Sequence, residues 1–161
     1  MAMSQKLGDL LEGRHAAYRR IRHAEAATSQ EVASAAHVPG WKLAKVVALR
    51  DDRGRWILGV VPAPCRIDLR ALSAFSGHHE LRLASEAEIA RRFPDSEPGA
   101  MPPFEDLYRV PVFIDLSFSD TNDIYFEDGT HHGLVRMRLR DYIRVAEPII
   151  GRFAVGSADG H

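Results

Sequence analysis

The stretch "WKLAKVVALRDDRGRWILGVVP", residues 41 to 62, limits the possible folds more than any other part of the chain. Two apolar, β-rich runs flank "DDRG", a turn sequence, which is the signature of paired antiparallel strands joined by a hairpin. Side chains alternate along a strand, so Leu43, Lys45, Val47 and Leu49 share one face and Ala44, Val46 and Ala48 the other. Both faces look core-directed, yet one of them carries a lysine, a residue rarely fully buried without a partner. Two readings follow. Either the stem of Lys45 packs on its neighbours while the amine snorkels to a sheet edge, or the amine is kept in a low-dielectric site as a donor to an anionic or carbonyl oxygen. Conflicts between a residue and its local pattern are where functional sites are expected.

Around this hairpin the apolar period alternates between helix and strand. Leu7, Leu10, Leu11 and Tyr18 predict an amphipathic N-terminal helix running into the basic "RRIRH". Thr28 and Glu31 form a capping box for a short helix stopped by "VPG", and Ser85 and Glu88 form a second one. "DLRALSAFSG" reads as a helix closed by Gly77, and "ELRLA" as a short strand. "VPVFIDLSF", "DIYFEDG" and "HGLVRMRL" read as three more strands and "RDYIRVAEPI" as a terminal helix. The expectation is one α/β (α+β) domain with a central mixed, largely antiparallel sheet flanked by helices. Its parts are an N-terminal helix and basic segment over 1–22, the main domain over 23–150 and a loose tail over 151–161.

The chain's 161 residues suffice for one core without staples. Cys65 stands alone, which excludes an internal disulfide and a cysteine-based zinc site and fits a reducing compartment, the cytoplasm. Twenty-one basic against 22 acidic side chains argue against strong non-specific binding to nucleic acid or anionic membrane. No run approaches the roughly 20 apolar residues that span a bilayer, and the first residues lack the apolar centre of a signal peptide.

Several nucleophilic and metal chemistries find no signal. There is no GxSxG, Walker or GxGxxG pattern. The paired histidines of "DGTHHG" would point to opposite faces of a strand, and the remaining histidines lack ligand spacing, so no metal and no cofactor is expected. What stands out besides Lys45 is "PDSEPGAMPPFEDLYR": four prolines exclude regular structure, and Gly99 would let a ligand approach backbone N–H groups able to stabilise an oxyanion. The plain alternative is a connector. Arg136, Arg138 and Arg140 alternate with apolar residues, and with Arg19, Arg20 and Arg22 they could hold a nucleic-acid backbone or form a solvated face balanced by acids.

In their order, "TSQEVASAAHVPGWKLAKVVAL", "GVVPAPCRIDLRAL", "LRLASEAEIARRF", "EPGAMPPF", "VPVFIDLSF" and "FEDGTHHGLVRM" resemble the YbaK/ProX aminoacyl-tRNA deacylases over residues 23 to 147. The family's strand lysine is matched by Lys45 and its GxxxPF loop by Gly99, Pro103 and Phe104. Its glycine-led approach to a strand with histidine is matched by Gly129, Thr130 and His131. The resemblance implies a free-standing, metal-free trans-editing enzyme, related to the editing insertion of prolyl-tRNA synthetases. Such an enzyme serves translation fidelity by hydrolysing the ester of a mischarged amino acid on tRNA.

On that reading Lys45 and Gly99 are catalytic, Lys45 holding a carbonyl or phosphate oxygen and the backbone at Gly99 helping the oxyanion. Pro103, Phe104 (as a pocket wall), Gly129, Thr130, His131, Thr28, His23 and Asp115 would bind substrate. An aminoacyl ester is already activated, so the site needs only a positioned water, activated by the protein or by the adenosine's own free ribose hydroxyl, together with stabilisation of the developing oxyanion. The loop and the "GTHH" pattern are most similar to the branch acting on seryl or threonyl esters, with alanyl and cysteinyl esters as alternatives. The expected partners are aminoacylated tRNA and an aminoacyl-tRNA synthetase, with no membrane. The rival readings are a non-catalytic tRNA- or synthetase-binding module and a small-molecule ester or amide hydrolase.

Overall fold

The computed structural model describes residues 4–26 and 28–156. Helix α1 (Gln5–Gly13) starts at Ser4, whose hydroxyl accepts the Leu7 N–H, and buries Leu7 and Leu11. It stops earlier than the sequence predicts. His15 takes φ +55, and Arg19–Arg22 form strand β1 instead of the helix's basic end. The reason is tertiary: Ile21 is the one apolar residue of "RRIR", and it sits opposite Leu134 in an antiparallel pairing.

Helix α2 (Ser29–Ala36) carries the expected capping box, with Thr28 Oγ1 accepting from Glu31 N at 3.1 Å and Glu31 Oε1 accepting from Thr28 N at 3.0 Å. Strands β2 (Ala44–Arg50) and β3 (Trp56–Pro62) pair antiparallel over their whole length. Their turn is held by the buried Asp51 carboxylate, which accepts the N–H groups of Arg53 and Arg55 at 2.9 Å each. Strand β4 (Arg66–Ile67) leads into α3 (Leu69–Ser76), ended by Gly77 at φ +77. Then follow β5 (Arg82–Leu83), α4 (Glu86–Arg92) behind the Ser85/Glu88 capping box, the proline-rich loop, and α5 (Glu105–Tyr108). Strands β6 (Val112–Asp115), β7 (Asp123–Glu127) and β8 (Gly133–Arg138), helix α6 (Leu139–Ala146), and strands β9 (Ile149–Gly151) and β10 (Ala154–Val155) complete the chain.

The central sheet is mixed, in the order β5-β2-β3-β6-β9, antiparallel on the β5-β2-β3 side and parallel through β6 and β9. A second, antiparallel sheet, β1-β8-β7, holds the two late strands that the sequence places in one central sheet. The hairpin's two faces enter different cores. Ala44, Val46, Ala48, Leu58 and Val60 join Phe104, Phe126 and Tyr142, whereas Leu49, Ile57 and Val61 pack with Leu72, Phe113 and Phe153. Burying two faces is what makes both runs continuously apolar.

The expected tail is fastened as far as Val155. Strand β10 pairs with β4, Phe153 is buried, and Asp115 Oδ1 accepts the N–H groups of Phe153 and Ala154, both at 2.8 Å. Residues 157–161 lie outside the described residues. Among the described residues, no helix is long and apolar enough to cross a membrane.

Candidate active site

Strand β2 is paired with β3 throughout but with β5 only at Leu49 and Arg50. A cleft of about 370 Å³, within the range of small-ligand sites, therefore opens along the uncovered part of β2. Its lining brings together residues far apart in sequence: Thr28 at the start of α2, Lys45 on β2, Gly99 and Met101 in the proline-rich loop, Glu127 at the end of β7, and His131.

Lys45 is half-buried, and among the described residues no hydrogen bond or ion pair holds its amine. Burial lowers its pKa from the ordinary lysine value, with the nearby Cys65 opposing that shift. It also borders a second recess of about 340 Å³ with Thr28, Cys65 and Arg66, so one lysine lines two hollows. Cys65 is itself buried, and desolvation raises its thiol pKa, as for a packed rather than a reactive cysteine.

Gly99 adopts φ +88, open to glycine and costly for other residues. Its N–H points at Met101 Sδ, 3.3 Å away. A thioether is a weak acceptor, so a substrate oxygen would be the better partner for this donor.

His131 ties that loop to the second sheet. Its backbone N–H donates to Glu97 Oε2 at 2.7 Å and its Nε2 lies 2.8 Å from the Pro98 carbonyl. Its Nδ1 stands 3.5 Å from Glu127 Oε2. The Glu127 carboxylate is the main cause that pushes the His131 pKa up to about 9, and because a carbonyl only accepts, Nε2 carries a proton and donates it to Pro98. Gly129, at φ +104, completes the brace: its N–H donates to Ala100 and its carbonyl accepts from Glu97.

Four of the sequence-predicted residues, Thr28, Lys45, Gly99 and His131, thus meet at the cleft, and the others do not line it. Phe104, expected as a pocket wall, is fully buried against Phe126 and Tyr142, with ring centres 5.2 Å from each. The Pro103 carbonyl accepts the Tyr142 hydroxyl at 2.8 Å, so the "PF" pair anchors the loop to the core. Gly129 and Thr130 shape the turn before His131, Thr130 donating its hydroxyl to Asp128 Oδ1 at 2.7 Å. Asp115 fastens the C-terminal segment. His23 lies near enough to Glu127 to act on its charge, and its Nε2 is buried without a partner.

Of the arginines, Arg19, Arg136 and Arg138 share one face of the second sheet, with Arg136 paired to Asp123 at 2.7 Å. Arg20 and Arg22 alternate to the other face, and Arg140 belongs to α6, which breaks the expected row of three. Sequence reasoning missed Glu127, Met101 and Pro98. Glu127 follows the alternation of β7 on the polar side with Asp123 and Tyr125, so nothing local marked it. As for metals, Glu25, Glu97 and His132 each bring one ligand atom within 4.8 Å of the others, the one such group among the described residues.

The sequence pattern of the aminoacyl-tRNA editing domain matches residues 23–145. The chain belongs to that family. The editing domain's fold is shared with solved structures at low identity. A hypothetical protein superposes with a TM-score of 0.84 at 18% identity, covering 94% of this chain and 100% of its own. A protein described as a candidate trans-editing enzyme for prolyl-tRNA synthetase gives 0.79 at 19% identity, covering 95% and 97%. A protein of Marinobacter aquaeolei VT8, described as a candidate signal transduction protein, gives 0.70 at 18% identity, covering 92% of this chain and 30% of that one. At such identities the likeness establishes the fold alone. No curated protein matches the chain.

Proposed function

We propose that this editing domain is a trans-editing aminoacyl-tRNA deacylase acting on a small mischarged amino acid. Seryl and threonyl esters are favoured, with alanyl and cysteinyl esters as alternatives. The observation that carries the reading is the convergence of Lys45, Gly99 with its weakly engaged N–H, and His131 on one cleft.

The Lys45 amine and the Gly99 N–H are donors suited to an ester carbonyl whose oxygen gains negative charge as the carbon is attacked, and His131, bound to the Pro98 carbonyl, fixes the loop that carries Gly99. Water, positioned by the protein or by the free ribose hydroxyl next to the ester, adds to the carbonyl carbon and gives up a proton. The bond from that carbon to the ribose oxygen then breaks, and the ribose oxygen takes a proton. Lys45 holds a substrate oxygen, carbonyl or phosphate, and Gly99 N–H supports the oxyanion. The arginine face of Arg19, Arg136 and Arg138 is the proposed contact for the tRNA backbone, with a synthetase as a further partner. Near-neutral net charge suits modest affinity and a small salt slope.

The test is release of amino acid from a panel of mischarged tRNAs by the wild-type chain and by Lys45→Ala. Losing one such donor is expected to slow release about 100-fold or more. An unchanged rate in a folded Lys45→Ala protein sinks the assigned role. No release from any of the four esters leaves the non-catalytic binding module instead, and turnover without tRNA the small-ester hydrolase.

A further inference from the structure

Glu127 is the one carboxylate lining the cleft among the described residues, and ester hydrolysis as set out above does not use it. It ends β7 only 8% exposed. A buried carboxylate offers about four acceptor positions and is costly when they are unfilled. The contact Glu127 does make, 3.5 Å to His131 Nδ1, is too long for a good hydrogen bond, and that Nδ1 has no hydrogen-bond partner. His23 and Asp128 also act on its charge, with opposite signs. The other ionisable groups of the lining, Lys45 and His131, are cationic groups suited to oxygens.

An α-amino ester carries its ammonium on the carbon next to the carbonyl. A site that holds the carbonyl oxygen with cations repels that ammonium unless an anion stands within a few ångströms. We propose that Glu127 receives the α-ammonium of the substrate and makes the site selective for α-amino esters over uncharged acyl esters of the same shape. Burial raises the Glu127 pKa above the usual carboxylate value, and a cation in contact is what would favour its charged form. The proposal rests on the deacylase reading and adds to it the feature by which an aminoacyl group is told from other acyl groups.

The test compares the aminoacyl-tRNA that the wild-type chain releases fastest with its 2-hydroxyacyl counterpart, in which a hydroxyl replaces the ammonium at nearly equal size. Each rate is divided by the spontaneous hydrolysis rate of the same ester. The wild-type chain should prefer the ammonium ester by about tenfold or more, the scale of a charge-assisted hydrogen bond. Glu127→Gln should erase that preference, slowing the ammonium ester about tenfold more than the hydroxyacyl ester whatever loss the two share through His131, and Glu127→Asp should restore part of it. Lys45→Ala should slow both esters alike. Equal relative rates in the wild-type chain overturn the proposal without any variant. Equal losses on both esters in Glu127→Gln also overturn it, leaving Glu127 as a residue that positions His131. If the wild-type chain releases no aminoacyl ester at all, the deacylase reading itself has failed, and this proposal with it.

Discussion

Replacing Gly99 by alanine separates backbone strain from chemistry. At Gly99, φ +88, a new Cβ would meet only His131 Cε1, at 3.7 Å, an ordinary contact. At Gly77, φ +77, it would meet nothing within 4 Å. Neither substitution therefore clashes, and the cost in both is the left-handed backbone, about 1–2 kcal/mol for a residue with a Cβ. For a chain of this size each kcal/mol lowers Tm by about 2–4 °C, so both variants should melt about 2–8 °C below the wild-type protein. Their activities should part. Relaxing the strain at residue 99 rotates its N–H out of the direction it takes toward Met101 Sδ and disturbs the Pro98 carbonyl that holds His131, and losing a proposed oxyanion donor slows hydrolysis about 100- to 1,000-fold. Gly77 closes α3 and lines no part of the cleft, so Gly77→Ala should deacylate at the wild-type rate. Calorimetric melting and single-turnover release from a mischarged tRNA read the two quantities. Equal deacylation by the two variants refutes the role given to the Gly99 backbone, and an unchanged Tm refutes the strain argument.

The His131 pKa, raised from 6.5 to about 9 by Glu127, sets a pH window. The folded-state value is the higher one, so the stabilisation is fully present below about 6.5 and is lost as pH rises through about 9. Urea unfolding of the wild-type chain and His131→Asn should show a stability gap that narrows between pH 6.5 and 10; a widening gap contradicts the pairing. Asp115→Ala should speed hydrogen exchange at Phe153 and Ala154 while leaving deacylation nearly unchanged. Impaired deacylation without faster exchange would place Asp115 at the chemistry instead. Replacing Arg19 and Arg138 together should weaken tRNA binding and lower its salt slope by about 1–2. An unchanged slope removes that face from the interface.

Much of the frame is local and could be read residue by residue. The two capping boxes, the "DDRG" hairpin and the glycine stop at Gly77 lie where short-range hydrogen bonding and φ preferences put them. The basic segment after α1 was misread because a four-residue run with one apolar side chain has no period of its own, and only β8 makes it a strand. Likewise Arg140 continues the alternation of β8 on paper, yet the chain has already turned into α6. At the site, Lys45 was legible because it breaks an apolar row, and Gly99 because prolines isolate it. Phe104 was legible as important but not as core, since a sequence motif does not say which side of a loop faces solvent.

Local geometry is therefore written in the order of residues: which of them alternate, where helices start, where the backbone must take a glycine. So is the fact that one strand carries an amine its neighbours do not explain. Only the tertiary structure decided that residues 28, 45, 99, 127 and 131 share one cleft, and that Glu127, on the polar side of its strand by alternation, is buried there. Burial and electrostatic pairing depend on what packs against a face from elsewhere in the chain, and no local pattern carries that information.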